Sequence, residues 1–217
     1  MISFCITVCN EHLELNRLLK QLFGYIDEHD QIVVQGDQGN VTDEVISVLS
    51  KYKKDERFVY VEYPLNNDFA TFKNNAIKHC TKDYIFVIDA DEYCDEFLLK
   101  YLKVILTDNK DIDVFKVPRV NTVEGITPEY LKQCGWSMHN INGIDVINFP
   151  DNQCRIFKNN KKIKYINTVH ESLSGYDWET ALPIWKNDGY TFDYCLYHPK
   201  TIERQIKQNN FYDKLVK

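Results

Sequence analysis

Three carboxylates follow a short apolar run in the first half of the chain. Residues 84–88 are Tyr-Ile-Phe-Val-Ile, and Asp89, Asp91 and Glu92 come directly after them. Because like charges repel one another, acids gathered at the end of a buried strand are commonly balanced by a cation. Carboxylate oxygens are hard ligands that suit Mg²⁺ or Mn²⁺. The spacing therefore predicts a divalent-metal site, and the alternative is a solvated turn in which Asp91 or Glu92 caps the following helix.

The elements around this cluster follow a strand-helix rhythm through the first half of the chain. Apolar runs typical of buried strands alternate with segments whose apolar residues recur at helical spacing. This rhythm predicts an α/β fold with a mainly parallel sheet flanked by helices on both faces. The predicted strands cover residues 2–8, 31–34, 58–63 and 84–88, and the predicted helices cover 13–26, 42–49, 71–79 and 96–106.

Polar residues follow three of these strands, at 7–11, 35–40 and 89–92. In an open α/β sheet, ligands bind beyond the carboxyl ends of the strands. We therefore expect the three polar segments to lie at one edge of the sheet and to form the functional site.

The second half of the chain is less regular. Residues 114–117 predict a strand that ends at Pro118, which fits an edge or closing position because proline cannot donate a ladder hydrogen bond. Residues 124–148 show little periodicity and hold three glycines, which is typical of a lid or an acceptor loop. Short strands are predicted at 154–157 and 163–166, and an amphipathic helix at 201–216.

Composition and motifs exclude several classes of protein. The 217 residues fit one domain, and the formal net charge of −6 argues against a nucleic-acid partner. No G-x-G-x-x-G follows the first strand and no G-x-x-x-x-G-K-[ST] occurs, which disfavours a dinucleotide dehydrogenase and a P-loop nucleotidase. An acidic protein that binds a nucleotide diphosphate needs a cation to offset phosphate repulsion.

Cysteine use and the chain termini predict the cellular compartment. The seven cysteines are odd in number and form no C-x-x-C pair, so we expect reduced thiols in a cytoplasmic protein. The N-terminus runs directly into a strand and no apolar window approaches ~18 residues, so neither a signal peptide nor a membrane span is expected. For residues 201–217 a helix packed on the domain is the preferred interpretation, and their basic residues give as the alternative a peripheral contact with the inner face of a membrane.

A series of motifs recurs in a fixed order along nearly the whole chain. ITVCNE comes first, and DFATFKNNAIKHCTKDYIFVIDADEY follows. VPRVN, CGW, PDNQCRIFKN, TVHESLSGY and LYHPKTIERQIKQNNFY complete the series. This ordered set resembles glycosyltransferase family 2, and more narrowly its branch of lipopolysaccharide-core glucosyltransferases. The segment IVVQGDQGNVTDEV departs from the family pattern, because its acid Asp37 comes later than the usual one.

The resemblance implies a single domain of the GT-A type, with a Rossmann-like sheet, an irregular acceptor region and a C-terminal helix. Residues 1–112 would bind the nucleotide sugar, residues 113–200 would bind the acceptor and supply the catalytic base, and residues 201–217 would form the helix. The implied activity is an inverting, metal-dependent transfer of a hexose from a nucleotide diphosphate sugar, with a UDP-sugar preferred. The acceptor would be a hydroxyl of a glycan or a lipid-linked glycan, in the assembly of cell-surface polysaccharide or lipopolysaccharide.

The resemblance also assigns donor and metal contacts. Asp89 would face the nucleotide and the donor sugar, and Asp91 would ligate Mn²⁺ or Mg²⁺ together with Asp89 and His170. His198 is a weaker candidate ligand, because Pro199 after it suggests a turn. The predicted nucleotide-sugar contacts are Thr7, Asn10, Glu11, Asp37, Lys73, Asn74 and Asp89.

The catalytic base is expected from the acceptor half, because the acids of the strand end are assigned to the donor. Glu171, which adjoins His170, is preferred over Asp151. Trp136 is predicted to stack on the acceptor sugar, since aromatic faces pack well against sugars.

Plainer alternatives remain for several of these assignments. Lys73 would then be a solvated helix residue, His170 a satisfied core histidine and Glu171 a surface acid. An alternative activity is a nucleotidyltransferase that makes a nucleotide sugar, although such enzymes usually carry a glycine-rich basic loop where CNEHLE stands here. A further alternative is a non-catalytic glycan-binding protein on the same fold.

Overall fold

The computed structural model describes residues 1–187 and 189–215, the last three of these by their backbone only. The described strands are β1 (Ile2–Val8), β2 (Gln31–Asp37), β3 (Phe58–Tyr63), β4 (Tyr84–Asp89), β5 (Tyr93–Cys94), β6 (Val114–Glu124), β7 (Met138–Ile141), β8 (Ile144–Lys158), β9 (Lys164–Ile166), β10 (Ser172–Ser174), β11 (Glu179–Ala181), β12 (Trp185–Lys186), β13 (Gly189–Tyr190) and β14 (Leu196–Thr201). The described helices are α1 (His12–Tyr25), α2 (Asp43–Ser50), α3 (Phe69–Ile77), α4 (Glu96–Asp108), α5 (Pro128–Cys134) and α6 (Ile202–Leu215).

Ten of the described strands form one sheet in the order β3-β2-β1-β4-β8-β6-β14-β5, with β11 beside β6 and β7 beside β8. The first four strands of this order are parallel, and β8 runs antiparallel to both β4 and β6. This confirms the predicted α/β class, and β1 and β3 have the predicted bounds. The ends of β1, β2 and β4 meet at what we call the carboxyl edge, formed by residues 7–11, 35–40 and 89–92.

Apolar burial explains why the first half folds in this way. Leu15, Leu18, Leu19 and Leu22 recur at helical spacing on α1, and all four are fully buried. Burying each such side chain contributes about 1.5–3 kcal/mol relative to leaving it exposed. Nearly every residue of β1 and β2 is buried, because helices cover both faces of the sheet. The residues of the carboxyl edge are therefore held by strands that are buried in the core.

The prediction that Pro118 ends an edge strand is wrong. β6 continues through Pro118 to Glu124 and lies between β8 and β14. Its stretch 114–116 pairs with β11, whereas its stretch 119–124 pairs with β14. Pro118 falls between the two stretches, where the ladder on that side changes partner. A missing backbone N–H is tolerated at such a break.

The predicted irregular segment 124–148 is also more ordered than expected. It contains the short helix α5, capped by Thr127 and closed by Gly135 in the left-handed conformation (φ 67°). β7 and the start of β8 then form a hairpin through Asn142 and Gly143, whose φ angles are 53° and 82°. An Asn-Gly pair is the preferred sequence of a two-residue hairpin turn, so this signal was present in the sequence.

The helix predicted at the C-terminus is confirmed as α6, while Val216 and Lys217 lie outside the described residues. In the described part of the chain, no helix combines the length and the apolar character needed to cross a membrane. All seven cysteines are free thiols, as predicted.

The glycine that follows β10 gives a test of how closely the backbone packs beside the strand pair β9–β10. Gly175 has φ +88°, and a Cβ built on it would lie 1.9 Å from the carbonyl oxygen of Lys162. We expect Gly175→Ala to lower the free energy of unfolding by about 1–3 kcal/mol or more, measured by urea denaturation. Gly24→Ala is the matched control, because Gly24 lies in α1 with open space around it and alanine favours a helix by up to about 1 kcal/mol. Equal effects of the two substitutions would contradict the described backbone.

Candidate functional site

Asp89 lies at the centre of the carboxyl edge, beside Thr7 at the end of β1. The Thr7 hydroxyl donates to Asp89 Oδ1 over 3.5 Å. Arg155 Nη2 contacts Asp89 Oδ2 at 2.7 Å, and Lys73 Nζ contacts Oδ1 at 3.2 Å. Burial acts to raise the pKa of Asp89, but the charges of Arg155 and Lys73 outweigh it and hold the pKa well below its ordinary value. Asp89 is therefore a carboxylate held by two cations.

Glu92 is a further member of the site whose role the sequence analysis missed. It is fully buried, and its Oε1 contacts Arg155 Nη2 at 2.6 Å and Arg119 Nη1 at 3.2 Å. Its Oε2 accepts the backbone N–H of Asp89 over 3.1 Å. The third acid of the DADE motif thus braces the turn that carries Asp89. Its two partners could have been found in the sequence, because Arg119 and Arg155 are charged residues within the apolar strand segments VPRV and QCRIF.

Lys73 connects the two halves of the chain. Asp68 caps the start of α3, and this helix carries Lys73 on its buried face. The Lys73 side chain is only 8% exposed, and its Nζ contacts Glu171 Oε1 at 2.7 Å as well as Asp89. Burial acts to lower the pKa of Lys73, but Asp89 and Glu171 outweigh it and raise the pKa. The solvated alternative for Lys73 is therefore wrong, and Glu171 lies within one side chain of Asp89.

Asp91 contacts an imidazole, but that of His198. His198 Nε2 lies 3.1 Å from Asp91 Oδ2, and its Nδ1 lies 3.0 Å from Asn121 Oδ1. Asn121 Nδ2 donates to Asp151, which fixes the amide orientation, so Asn121 Oδ1 accepts from His198 Nδ1–H. The lone pair of a neutral His198 would then face a carboxylate oxygen. A cation at Nε2, either a proton or a metal ion, satisfies both atoms.

The predicted ligand set of Asp89, Asp91 and His170 is not assembled in this structure. Among the described residues, no three His, Cys, Asp or Glu side chains lie together in an arrangement that could hold a metal ion. His170 is exposed, with φ 54°, and its ring lies 5.8 Å from that of Tyr212. The physical reason is that β14 carries His198 to Asp91, while His170 sits in the connection before β10.

Asp151 is held by several donors on β6 and β8. Its Oδ2 accepts from Arg119 Nε at 2.8 Å, Arg119 Nη2 at 2.6 Å and Asn121 Nδ2 at 2.9 Å, and its Oδ1 accepts from Gln153. Burial acts to raise the pKa of Asp151, but Arg119 and these hydrogen bonds outweigh it and lower the pKa. A carboxylate bound in this way is a weak proton acceptor.

The remaining predicted donor contacts have varied surroundings. The Glu11 carboxylate accepts the backbone N–H groups of Cys9 and Asn10, and Asn10 itself is exposed at the edge. Asp37 is buried and accepts the backbone N–H of Leu65 over 2.9 Å. These residues line the end of β1 and β2, where the site meets solvent.

Asn74 is occupied by the protein itself. Its side-chain amide donates to the carbonyl of Tyr165 and accepts from the N–H of the same residue, over 2.8 and 2.9 Å. Asn74 therefore holds β9 against α3, and its predicted contact with the nucleotide sugar stays a prediction.

A basic side chain of α6 reaches back to the carboxyl edge. Arg204 Nη1 contacts Glu14 at 2.7 Å, and its Nη2 lies 3.6 Å from Glu11 and 3.4 Å from Asp91. The Arg204 side chain is 33% exposed. Arg204, one of the basic residues of the C-terminal segment, therefore lies at the site, and the membrane contact of that segment stays a prediction.

Lys200 lies near the end of β14 and is buried. Its Nζ donates to the side-chain oxygen of Gln208 on α6. Burial lowers the pKa of Lys200 to about 8, Asp91 opposes this shift, and the cations Arg119 and Arg204 add to it.

Trp136 lies just after α5 and before β7. It is half-buried and packs edge-on against Tyr130, with ring centroids 6.1 Å apart.

Comparisons with known proteins agree with this architecture. Solved structures of S. aureus TarS 1-349 match with a TM-score of 0.60, at 14% identity over 91% of this chain and 60% of that chain. The same protein in complex with UDP-GlcNAc matches with a TM-score of 0.61 and 14% identity, over 92% of this chain and 58% of that chain. Its complex with UDP matches with a TM-score of 0.60 and 13% identity, over 91% of this chain and 60% of that chain. This chain thus spans about three fifths of the TarS chains. At such identity the likeness shows the fold, which is of the GT-A type.

No protein in the curated collection matches this chain. A family model described as "Glycosyl transferase family 2" matches residues 3–170. These residues hold β1 to β9 and reach His170, so they include Asp89, Asp91 and Asp151. The chain belongs to glycosyl transferase family 2.

Proposed function

We propose that this protein is an inverting, metal-dependent glycosyltransferase that moves a hexose from a nucleotide diphosphate sugar to a glycan hydroxyl. The observation that carries the proposal is the bridge formed by Lys73, which contacts both Asp89 on the donor strand and Glu171 in the acceptor half. A direct displacement needs a donor contact and a proton acceptor close together, on one rigid support. Asp89 would make the donor contact and Glu171 would be the proton acceptor, and Lys73 joins the two.

The residues present fit a divalent cation at Asp91 and His198. Their facing atoms, Oδ2 and Nε2, lie 3.1 Å apart. Neighbouring ligands of an octahedral Mg²⁺ with bonds of 2.0–2.1 Å lie about 3 Å apart. The bond from His198 Nδ1–H to Asn121 is the outer contact that orients a metal-bound imidazole. Mn²⁺ or Mg²⁺ at these two residues would stabilise the charge of the departing diphosphate.

Other residues of the carboxyl edge would bind the donor. Asp89, fixed by Arg155 and Glu92, would orient the donor sugar. Thr7, Asn10, Glu11 and Asp37 would contact the nucleotide at the solvent side of the edge.

Glu171 is the proposed base of the displacement. Its Oε1 accepts from Lys73, so Oε2 is the oxygen that would take the acceptor proton. The four hydrogen bonds on Asp151 argue against that residue as the base.

The proposal extends to the acceptor, the donor and the setting of the reaction. Trp136 would stack on the acceptor sugar, since aromatic faces suit the apolar faces of sugars. A UDP-sugar is the preferred donor, because TarS structures with UDP and UDP-GlcNAc share this fold. We further propose that the protein acts in the cytoplasm, at the inner face of the membrane, on a glycan or a lipid-linked acceptor of polysaccharide or lipopolysaccharide assembly, as in the branch it resembles.

The metal site can be tested with two histidines of one chain. His198→Gln should weaken the affinity for Mn²⁺ by about 10–100-fold or more, measured as the Mn²⁺ dependence of nucleoside diphosphate release from UDP-sugars with a glycan acceptor. Asp91→Asn should also abolish most of the transfer, because a neutral amide ligates the cation less well.

His170→Gln is the matched control and should change the Mn²⁺ dependence by less than about twofold. If His170→Gln is the damaging variant, the assignment of the imidazole is wrong. Transfer that continues undiminished in EDTA would show that the reaction does not depend on a metal ion.

The base can be tested by exchanging one acid at a time for its amide. We expect Glu171→Gln to lower kcat by about 10²-fold or more with little change in the donor KM, as for loss of a general base. Asp151→Asn should instead lower stability, because Arg119 loses the nearer of its two acidic partners, and should affect kcat less. Steady-state kinetics together with thermal unfolding separate the two effects. The opposite ranking of the two kcat values, in folded variants, would assign the base to Asp151.

A further inference from the structure

The helix α6 spans the mouth of the carboxyl edge. Near its start, Arg204 contacts Glu11, Glu14 and Asp91. Two turns later, the ring of Tyr212 lies 5.9 Å from that of Phe69, at the start of α3. The helix therefore joins the N-terminal end of α1 to the N-terminal end of α3, across the strand ends between them.

The cations at this edge fall into two groups. Lys73, Arg119 and Arg155 each contact buried or half-buried acids deep in the site, through bonds of 2.6–3.2 Å. Arg204 lies nearer to solvent and meets two of its three carboxylates through one nitrogen at 3.4 and 3.6 Å. These two contacts are ion pairs at long range and not close, well-aligned hydrogen bonds, so Nη2 retains the capacity to donate to a closer anion.

Lys200, at the end of β14, is a second cation in this region. It is buried and bonds a neutral amide, that of Gln208, and the charges of Asp91 and Arg204 both act on it. The two like charges of Lys200 and Arg204 repel each other. An anion with several oxygens at this position would relieve that repulsion, and a guanidinium matches the oxygens of a phosphate through paired hydrogen bonds.

We propose that Arg204 binds the diphosphate of the nucleotide sugar, as a positioning residue that α6 delivers over Asp91. This inference rests on the proposed function, because it requires a nucleoside diphosphate at Asp91. Asp91 Oδ2 lies 3.4 Å from Arg204 Nη2, so a phosphate group held at Asp91 is within reach of the guanidinium. Glu14 holds Arg204 ready through the shorter contact at Nη1.

The alternative is that Arg204 only braces α6 against α1, and a pair of variants separates the two roles. Arg204→Ala removes the cation, whereas Glu14→Gln removes its closest partner and leaves the cation in place. For a brace, both variants weaken nucleotide binding alike. For a diphosphate contact, only Arg204→Ala weakens it, and Glu14→Gln leaves the affinity unchanged or improves it.

The experiment is calorimetric titration of each folded variant with UDP, GDP and CDP in Mn²⁺, and with the matching monophosphates and nucleosides. We expect Arg204→Ala to raise the Kd of the bound diphosphate at least about tenfold, with a smaller effect on the monophosphate and none on the nucleoside. Arg204→Lys should recover part of the loss, since it keeps the charge but not the planar fork.

Three results would overturn the inference. They are an unchanged diphosphate Kd in Arg204→Ala, an equal loss in Glu14→Gln, and an equal loss for the nucleoside. If the unaltered protein binds none of the three diphosphates, the proposed function fails first and the inference falls with it, which the wild-type titration reveals on its own.

Discussion

A buried guanidinium holds the carboxyl edge together. Arg155 contacts Asp89 and Glu92 through a single nitrogen, at 2.7 and 2.6 Å, and its side chain is only 5% exposed. Without this cation the two acids would repel each other across the turn after β4. Removing one partner of a buried ion pair costs about 3–5 kcal/mol, because an uncompensated charge remains. Within the described residues, Arg155 Nε is also a buried nitrogen without a hydrogen-bond partner. Such an arrangement fits a role in positioning Asp89 better than a role in stability.

The topology of the sheet explains how that guanidinium arrives there. β8 is inserted antiparallel between β4 and β6, which brings Arg155 beside Asp89 and Asp151 opposite Arg119. β14 then runs parallel to β6 and sets His198 opposite Asn121. Residues from the second half therefore meet the parallel strands of the first half at one edge. Lys73 completes the connection from α3 by joining Asp89 to Glu171.

Local signals made the first half predictable. Apolar runs and helical stripes located β1 to β4 and α1 to α4 within a few residues, because burial on a parallel sheet fixes both periodicities. The second half could not be predicted as well. Pro118 indicated a strand end. In the structure it lies where β6 changes its partner from β11 to β14, and no ladder hydrogen bond from its nitrogen is needed there. The hairpin at Asn142 and Gly143 carried a turn signal that the low periodicity around it obscured.

The site shows the same division between local and tertiary information. The acids Asp89 and Asp91 were visible from their place after an apolar strand, and the family resemblance added Lys73 and Glu171. Which imidazole reaches Asp91 depends on the pairing of β14 with β6, a contact between residues far apart in sequence. The sequence placed His170 next to Glu171, but it gave no sign that His198 lies beside Asp91.

We propose that the carboxyl edge holds a metal-bound nucleoside diphosphate at Asp91 and His198. The most direct test of this proposal is the anomalous scattering of Mn²⁺ in crystals grown with Mn²⁺ and UDP. We expect a peak between Asp91 Oδ2 and His198 Nε2, with the diphosphate density beside it. A peak at His170, or nucleotide density away from the ends of β1 and β4, would contradict it.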